Sequence, residues 1–160
     1  MTTPPAPGAR RDASVIVARD TTGEIAVLTS RFPRHGGEYL FLPGGRREDA
    51  EMAEECARRE LREEAGVTAA TWRHLGSYAI TLADTARVDL FLAEDLTRGP
   101  QQLTPSEADF KLMWWPMHAA LQAVRDGRFL LQGGPLALLL AERATLHESP
   151  PPGLNPDGRI

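Results

Sequence analysis

The sequence predicts an α/β protein in which helices pack on a mixed β-sheet, and three observations support this class. Short apolar or alternating segments rich in strand-forming residues recur along the chain. A long run of helix-forming residues interrupts them, and two more helical segments follow the last strand. The chain has 160 residues, 42% of them hydrophobic, which is enough for the core of one domain.

The first half of the chain contains three predicted strands. A turn at residues 20–23 separates the first two, so we expect these two strands to pair as a hairpin. Residues 32–38 contain a proline and two glycines and are predicted to form a loop. The third strand ends at Pro43-Gly44-Gly45. The three strands cover residues 14–18, 25–29 and 39–42.

The second half begins with the longest predicted helix. Residues 51–65 hold good helix formers without glycine or proline, and Gly66 is a typical residue for the C-terminal stop. A polar loop, residues 99–109, precedes the last strand. Further strands are predicted at residues 72–80, 87–93 and 110–115, and further helices at residues 117–125 and 135–145.

Composition excludes several classes of protein. The net charge of -4 argues against a nucleic-acid-binding surface. Cys56 is the one cysteine, so no intrachain disulfide is expected. Because no apolar run could span a membrane and residues 1–11 lack the apolar region of a signal peptide, we expect a cytoplasmic protein. We interpret residues 1–11 as a flexible arm, 12–148 as the domain and 149–160 as a flexible tail.

Three glutamates of the long helix are predicted to share one face. Glu60, Glu63 and Glu64 stand at positions i, i+3 and i+4, where like charges repel one another and destabilise a helix. A divalent cation between them would remove this repulsion, and carboxylate oxygens suit Mg²⁺ or Mn²⁺. Arg59 lies four residues before Glu63 and can orient or partly neutralise the group.

The approach to this helix supports the same interpretation. Gly44 and Gly45 let the backbone come close to a metal or a phosphate, and the Gly45 carbonyl can serve as a ligand. Glu51 is predicted to lie in the first turn of the helix, where a carboxylate complements the helix dipole.

These residues together resemble the Nudix box, and they occupy every fixed position of that motif. The order of the surrounding elements is similar to the α/β/α sandwich of the Nudix hydrolases, which use divalent metal to cleave phosphoanhydride bonds. The matching residues are Gly45, Glu51, Arg59, Glu60, Leu61, Glu63, Glu64, Gly66 and Val67.

The resemblance implies a role for each residue of the box. Glu51 would orient Arg59, which would hold the loop and the helix together, and Leu61 and Val67 would lie in the core. The implied metal ligands are Glu60, Glu63 and Glu64, with the Gly45 carbonyl as a further ligand and Glu51 approaching through water.

The resemblance leaves the catalytic base open. It would be a glutamate of the box, Glu63 or Glu64, or else Glu107 in the loop at residues 99–109. The sugar-nucleotide branch of the family tends to place its loop glutamate at the position of Glu107. The reaction that the resemblance implies is hydrolysis of a diphosphate linkage, with Mg²⁺ as the cofactor and Mn²⁺ as the alternative to it.

The segment after the box resembles the ADP-ribose and nucleoside-diphosphate-sugar pyrophosphatases. The resemblance lies in residues 89–96, 106–107, 114–117 and 123–129. It implies ADP-ribose or a nucleotide sugar as the substrate, and a homodimer. Residues 77–86 lack the proline that ADP-ribose enzymes tend to carry soon after the box, which argues against ADP-ribose itself.

Other functions stay open at this point. Residues 28–31 resemble the start of the coenzyme A pyrophosphatase motif, although Leu42 replaces its phenylalanine and the spacing is shorter. A nucleoside triphosphate pyrophosphohydrolase ranks third. A different class is a Nudix domain that binds a nucleotide without cleaving it. The complete set of acidic residues argues against this class.

Residues outside the box complete the list of candidates. Arg31 and Arg34 could contact a phosphate and Tyr39 could stack on a base, so these three are the candidate substrate-binding residues. Cys56 is predicted to be a small buried residue rather than a catalytic thiol. The Trp114-Trp115 pair is predicted to pack in the core, and none of the four histidines is predicted to be a metal ligand.

Overall fold

A computed structural model describes residues 12–146 of the chain, so the whole of the predicted arm and the whole of the predicted tail lie outside the described residues. The strands are β1 (Ala13–Ala18), β2 (Glu24–Phe32), β3 (Gly37–Phe41), β4 (Gly44–Arg46), β5 (Val67–Ala79), β6 (Arg87–Arg98) and β7 (Lys111–Pro116). The helices are α1 (Ala53–Ala65), α2 (Met117–Arg125) and α3 (Gly133–Leu146). Short 3₁₀ turns lie at Pro33–His35 and Pro105–Glu107.

The strands form two sheets. The four-stranded sheet has the order β4-β1-β6-β5, with β1 parallel to β6 and the other pairs antiparallel. The three-stranded sheet has the order β3-β2-β7 and is antiparallel throughout. The prediction of an α/β protein with a mixed sheet is therefore confirmed. None of the helices within residues 12–146 is long and apolar enough to cross a membrane.

The core consists of two hydrophobic clusters, one on each side of the strands. One cluster joins Val17 and Val27 to Leu138 of α3, and the other joins Ile16 and Ala26 to Leu61 of α1. Residues of both faces of β1 and β2 are completely buried. Strand β1 has α1 and α3 packed against it, and β2 has α2. Leu61 and Val67 are also completely buried, as predicted for the core residues of the box.

The predicted hairpin of the first two strands is wrong. Strands β1 and β2 lie in different sheets. One isolated antiparallel bridge, between Arg19 and Ile25, connects the two segments next to the turn. A hairpin with one solvent-exposed face alternates apolar and polar residues, whereas both of these strands have apolar residues at consecutive positions. Each strand therefore lies in the interior of its own sheet: β1 pairs with β4 and β6, and β2 pairs with β3 and β7.

Two boundaries near the Nudix box also differ from the prediction. Gly44–Arg46 forms the short strand β4 instead of a simple stop, and it pairs antiparallel with β1. Helix α1 begins at Ala53, so Glu51 precedes the helix rather than lying in its first turn. The Glu51 carboxylate instead accepts a hydrogen bond from the Glu48 N–H at 2.8 Å, and Ala50 has a positive φ of 62°, so the chain turns there.

Candidate active site

Three carboxylates from two separate segments of the chain lie close together. Glu60 and Glu64 project from α1, and Glu107 comes from the 3₁₀ turn Pro105–Glu107. One oxygen of each lies within 4.8 Å of the others. Glu60 is 8% exposed and Glu64 is 4% exposed. We call Glu60, Glu64 and Glu107 the three-carboxylate group.

The loop that carries Glu107 docks on the C-terminal end of α1. The Gly99 N–H donates to the Gly66 carbonyl at 2.7 Å, and the Gln102 N–H donates to the Glu63 carbonyl at 2.7 Å. The Gln101 side chain donates to the Glu64 carbonyl at 2.7 Å. These bonds satisfy carbonyls that the end of a helix leaves unpaired. The loop is thereby fixed against the helix that holds the other two carboxylates.

Gly66 is essential to this docking for two reasons. Its φ is 66°, in the left-handed region that favours glycine at the end of a helix. A Cβ at this position would also overlap the backbone of Gly99 and Pro100. Sequence reasoning identified Gly66 as a helix stop, but the contacts of Gln101 and Gln102 were missed because a polar loop shows no pattern that reveals its partner.

A local capping arrangement orients Glu107. Its carboxylate accepts a hydrogen bond from the Thr104 N–H at 3.0 Å and another from the Thr104 hydroxyl. This is the arrangement of a capping box, and its signal in the sequence is Thr104 followed three residues later by Glu107. One oxygen of Glu107 is therefore held by the turn, while the side chain extends towards Glu60 and Glu64.

The two glycines before α1 contact the other members of the group. The Gly44 N–H donates to Glu64 Oε2 at 3.2 Å. A Cβ at Gly45 would overlap the carboxylate of Glu60, so any other residue there would displace that carboxylate. The Gly45 carbonyl accepts a weak hydrogen bond from the Cys56 thiol at 3.5 Å. Gly45, predicted from sequence as a ligand, thus lies directly against the three-carboxylate group.

Arg59 links the preceding loop to the helix. Its Nε donates to Glu51 Oε1 at 2.8 Å, and its Nη2 donates to Glu51 Oε2 at 3.0 Å. Its Nη1 donates to Glu60 at 2.8 Å and to Glu63 at 3.4 Å. The bidentate pair with Glu51 is the contact that the resemblance implied. Glu63, also a predicted ligand, contacts Arg59 and lies outside the three-carboxylate group.

Burial determines the electrostatics of the carboxylates. Removal from water raises the pKa of Glu64 to about 9, and the adjacent Glu60 and Glu107 carboxylates act in the same direction. Burial also raises the pKa of Glu60, although Arg59 opposes this effect. The hydrogen bonds from Arg59 lower the pKa of Glu51, and those bonds raise the pKa of Arg59. The group therefore favours bound protons or a bound cation.

The predicted substrate-binding residues lie on or next to the three-stranded sheet. Arg31 lines a polar pocket of about 260 Å³ together with Glu38 and Lys111. The Tyr39 hydroxyl donates to the His35 carbonyl at 3.0 Å. Arg34 is exposed in the 3₁₀ turn that follows β2. None of the three belongs to the three-carboxylate group, and their roles stay predictions.

A second cavity adjoins Gly45 and was missed by sequence reasoning. It measures about 240 Å³ and opens between the two sheets and the start of α3. Its walls come from segments far apart in sequence, so no local pattern could reveal it. We call it the apolar cleft, and its principal lining residues are Val15, Phe41, Leu42, Gly45, Leu131 and Gly134.

The remaining sequence predictions concern packing. Cys56 is completely buried, as predicted, and burial raises the pKa of its thiol to about 11. Trp115 and Trp114 pack against the two hydrophobic clusters, which confirms their structural role. Within the described residues, the three-carboxylate group contains no histidine, and His147 lies outside that range.

The sequence matches the family description of the NUDIX domain over residues 9–133. This region includes the three-carboxylate group, strand β4 and Arg59. The chain belongs to the Nudix family. The match extends over well more than half of the 160 residues and agrees with the motif found at residues 45–67.

Two curated relatives of this Nudix chain are similar over most of its length. One is an ADP-ribose pyrophosphatase of Mycobacterium tuberculosis, 33% identical over 122 residues, which are 74% of this chain and 58% of the relative. The other is a CMP-5'-(N-acetyl-N-hydroxy-3-aminopropyl)phosphonate hydrolase of Streptomyces rubellomurinus. It is 32% identical over 134 residues, 79% of this chain and 62% of the relative. The chain thus spans about 60% of the length of these relatives.

Solved structures confirm the predicted Nudix fold. A crystal structure of an ADP compounds hydrolase superposes with a TM-score of 0.77 and 19% identity, covering 89% of this chain and 77% of that one. A MutT structure from a study of Aliivibrio salmonicida and Vibrio cholerae gives a TM-score of 0.61 and 19% identity, covering 82% and 97%. At this identity the likeness concerns the fold of the Nudix domain alone.

Proposed function

We propose that this chain is a divalent-metal-dependent hydrolase that cleaves the pyrophosphate linkage of a nucleoside diphosphate derivative. The three-carboxylate group carries the proposal, since three oxygen donors from separate side chains lie within 4.8 Å of one another. The substrates that we place first are ADP-ribose and nucleotide sugars. An ADP-ribose pyrophosphatase and a hydrolase of a CMP-linked phosphonate among the relatives support this class of substrate.

The donor set fits Mg²⁺, with Mn²⁺ as a second choice. Both ions prefer carboxylate and carbonyl oxygens and bind phosphate oxygens alongside few protein ligands. Glu60, Glu64 and Glu107 would hold the ion, with the Gly45 carbonyl beside them, and Glu63 is the predicted further ligand. Three crowded carboxylates, two of them buried, are unfavourable unless protons or a cation neutralise them, so the site itself favours binding.

Arg59 and Glu51 would position the site rather than bind substrate. The Arg59 guanidinium spans Glu51, Glu60 and the Arg46 carbonyl, to which its Nη2 donates at 3.0 Å. It therefore fixes the orientation of Glu60 and the path of the loop before α1. Its positive charge also limits the repulsion among the neighbouring carboxylates.

A bound divalent cation would supply positive charge against the diphosphate oxygens and lower the pKa of a nearby water molecule. We assign the acceptance of the proton from the attacking water to Glu107. This carboxylate is partly exposed, and the turn at Thr104 fixes one of its oxygens. Glu63 and Glu64 on α1 are the alternative bases.

Turnover of ADP-ribose should depend on added metal. We expect AMP and ribose phosphate with Mg²⁺, and no product above background after EDTA treatment, because the carboxylates alone do not neutralise a diphosphate. Mass spectrometry of products from a panel of nucleoside diphosphate compounds would identify the preferred substrate. If protein with Mg²⁺ bound nucleotides but cleaved no diphosphate compound, the chain would be a nucleotide-binding module instead.

Glu107→Gln should lower kcat by about 10²- to 10⁴-fold, the range that loss of a general base produces. The Mg²⁺ activation constant separates the two roles of Glu107. If Glu107 acts mainly as the base, that constant stays within threefold of the parent value, and the dependence of kcat on pH changes on its acidic side. A loss in kcat of only a few-fold would assign the base to α1.

Two further predictions from the sequence stay predictions. The cytoplasmic location is the first, and the homodimer, which follows from the resemblance to sugar-nucleotide enzymes, is the second. Gel filtration with light scattering measures the second directly. A monomeric mass at micromolar concentration would remove the homodimer from the proposal without affecting the site.

A further inference from the structure

The segment between β4 and α1 carries Glu51 without forming a helix or a strand. Residues 48–50 are exposed, and Ala50 has a left-handed backbone conformation with a φ of 62°. The Glu51 side chain is nevertheless only 12% exposed, and it makes the bidentate pair with Arg59. A short exposed segment needs anchoring contacts to hold a side chain in one position, because an unanchored loop keeps many conformations.

Arg47 anchors the backbone of Glu51. Its Nε and Nη2 both donate to the Glu51 carbonyl, at 2.9 Å and 2.7 Å. The two donors belong to one rigid, planar guanidinium, so they fix the direction of this carbonyl as well as its distance. The carbonyl lies next to the Cα that carries the Glu51 side chain. Its position therefore determines where the Glu51 carboxylate can reach.

Asp12 in turn anchors Arg47 to the four-stranded sheet. The Arg47 N–H donates to the Asp12 carbonyl at 2.8 Å, and Arg47 Nη1 forms a salt bridge with Asp12 Oδ2 at 3.4 Å. The other carboxylate oxygen of Asp12 accepts a hydrogen bond from the N–H of Arg87, the first residue of β6, at 2.9 Å. Asp12 is 6% exposed, and a carboxylate so far from water requires partners of this kind. The segment before α1 is thus tied to the beginnings of β1 and β6.

We infer that Arg47 is a positioning residue of the candidate metal site and acts on it through Glu51. The inference rests on the proposed function and adds to that site a residue that is not a fixed position of the Nudix box. Arg47 fixes Glu51, whose carboxylate binds Arg59 through two hydrogen bonds. Arg59 then donates to Glu60 of the three-carboxylate group at 2.8 Å. Within residues 12–146, the hydrogen bonds of the Arg47 side chain go to Asp12 and Glu51.

A purely structural role for Arg47 is the alternative, and the two roles differ in how Arg47 and Glu51 combine. A structural role would lower the stability of the fold and leave the metal site as it is. A positioning role matters only while the Glu51 carboxylate is present to be positioned. Residues that act through one shared contact give effects that do not add, whereas independent residues give effects that do.

Mn²⁺ binding to the full chain tests the inference without turnover, and the electron paramagnetic resonance signal of the free ion measures it. Residues that orient metal ligands typically contribute roughly 10- to 100-fold in metal affinity. Because Arg47 acts through two intermediates, we expect Arg47→Ala to weaken Mn²⁺ binding by about tenfold, the lower end of this range. The measurements are made well below the melting temperature of every variant, so that a loss of stability does not enter the result.

Arg47→Lys separates position from charge. Lysine keeps the positive charge but not the rigid fork of donors, so it should still weaken Mn²⁺ binding by about fivefold. Full recovery of the parent affinity by lysine would overturn the inference, because charge rather than position would then be the cause. If Arg47→Ala does not fold, Arg47→Lys takes its place in the double variant below.

A double variant with Glu51→Ala decides between the two roles. In the Glu51→Ala background, Arg47→Ala should change Mn²⁺ affinity by less than about twofold, since no Glu51 carboxylate remains to be positioned. In the otherwise unchanged chain, Arg47→Ala should also lower kcat for a nucleoside diphosphate compound by about tenfold and leave KM within about twofold. Losses that multiply in the double variant would assign Arg47 a purely structural role.

Arg62→Ala is the matched control, because Arg62 is an exposed arginine of α1 and its removal changes the net charge by the same amount. It should bind Mn²⁺ like the parent. If the parent bound Mn²⁺ and hydrolysed diphosphates but Arg47→Ala matched it in both, the inference would fall and the proposed function would stand. If the parent bound Mn²⁺ and hydrolysed nothing, the proposed function would fall, and the affinities alone would decide the inference. A parent protein that bound no Mn²⁺ would remove both.

Discussion

Replacing Glu64 with glutamine is expected to lower kcat by about 10³-fold while the protein remains folded. Glu64 is 4% exposed and belongs to the three-carboxylate group. Glutamine keeps the size of the side chain but removes the charge that a divalent cation requires. A loss of about 4 kcal/mol in charge stabilisation corresponds to this factor in rate. Steady-state turnover at saturating Mg²⁺ measures the effect.

Folding of this variant has a physical basis. Because burial raises the pKa of Glu64 to about 9, the side chain is mainly protonated at neutral pH when no metal is bound. Glutamine resembles the protonated acid, so its melting temperature in EDTA should equal or exceed that of the parent. Glu54→Gln, an exposed site on the same helix, should keep kcat within twofold. Near-normal turnover of Glu64→Gln would contradict the assigned role.

Local patterns predicted the elements better than their pairing. Helix α1 followed from its helix-forming residues and from Gly66, and both features depend only on neighbours in sequence. Strand pairing depends on partners far along the chain: β1 pairs with β6, about 75 residues away. The turn between two apolar segments therefore predicted a hairpin, whereas in the folded protein the two strands belong to different sheets. Strand β4 was missed because glycine has a low strand propensity.

The candidate site shows the same division. Helical spacing placed Glu60, Glu63 and Glu64 together, but it could not tell which of them Arg59 would engage. In the structure Arg59 donates to both Glu60 and Glu63, at 2.8 Å and 3.4 Å, and Glu107 rather than Glu63 completes the three-carboxylate group. The resemblance to the sugar-nucleotide branch singled out Glu107. The hydrogen bonds between its loop and α1 explain why it lies next to Glu60 and Glu64. The apolar cleft could not be foreseen because three distant segments form it.

Protein stripped of divalent metal with EDTA is expected to lose stability as the pH rises from 5 to 8.5. The folded chain holds a proton on Glu64 up to about pH 9, whereas the unfolded chain releases it near 4.5, the ordinary pKa. Unfolding therefore releases a proton in this range, and each rise in pH favours the unfolded state. The contribution of Glu64 is complete below pH 4.5 and declines up to about 9. These two pKa values correspond to a loss of about 4 kcal/mol, or roughly 8–16 °C in melting temperature.

The Glu64→Gln variant isolates this effect, because an amide does not titrate. Its melting temperature in EDTA should fall less over the same range, with a residual slope from Glu60, whose pKa is also raised. Glu51 has a lowered pKa and acts only below about pH 4.5, outside this window. Saturating Mg²⁺ should stabilise the parent more at pH 8.5 than at pH 5, since the cation replaces the protons. If the melting temperature of the parent in EDTA did not change with pH, as in Glu64→Gln, Glu64 would be ionised in the folded protein. Burial would then not be the reason that this group favours a cation.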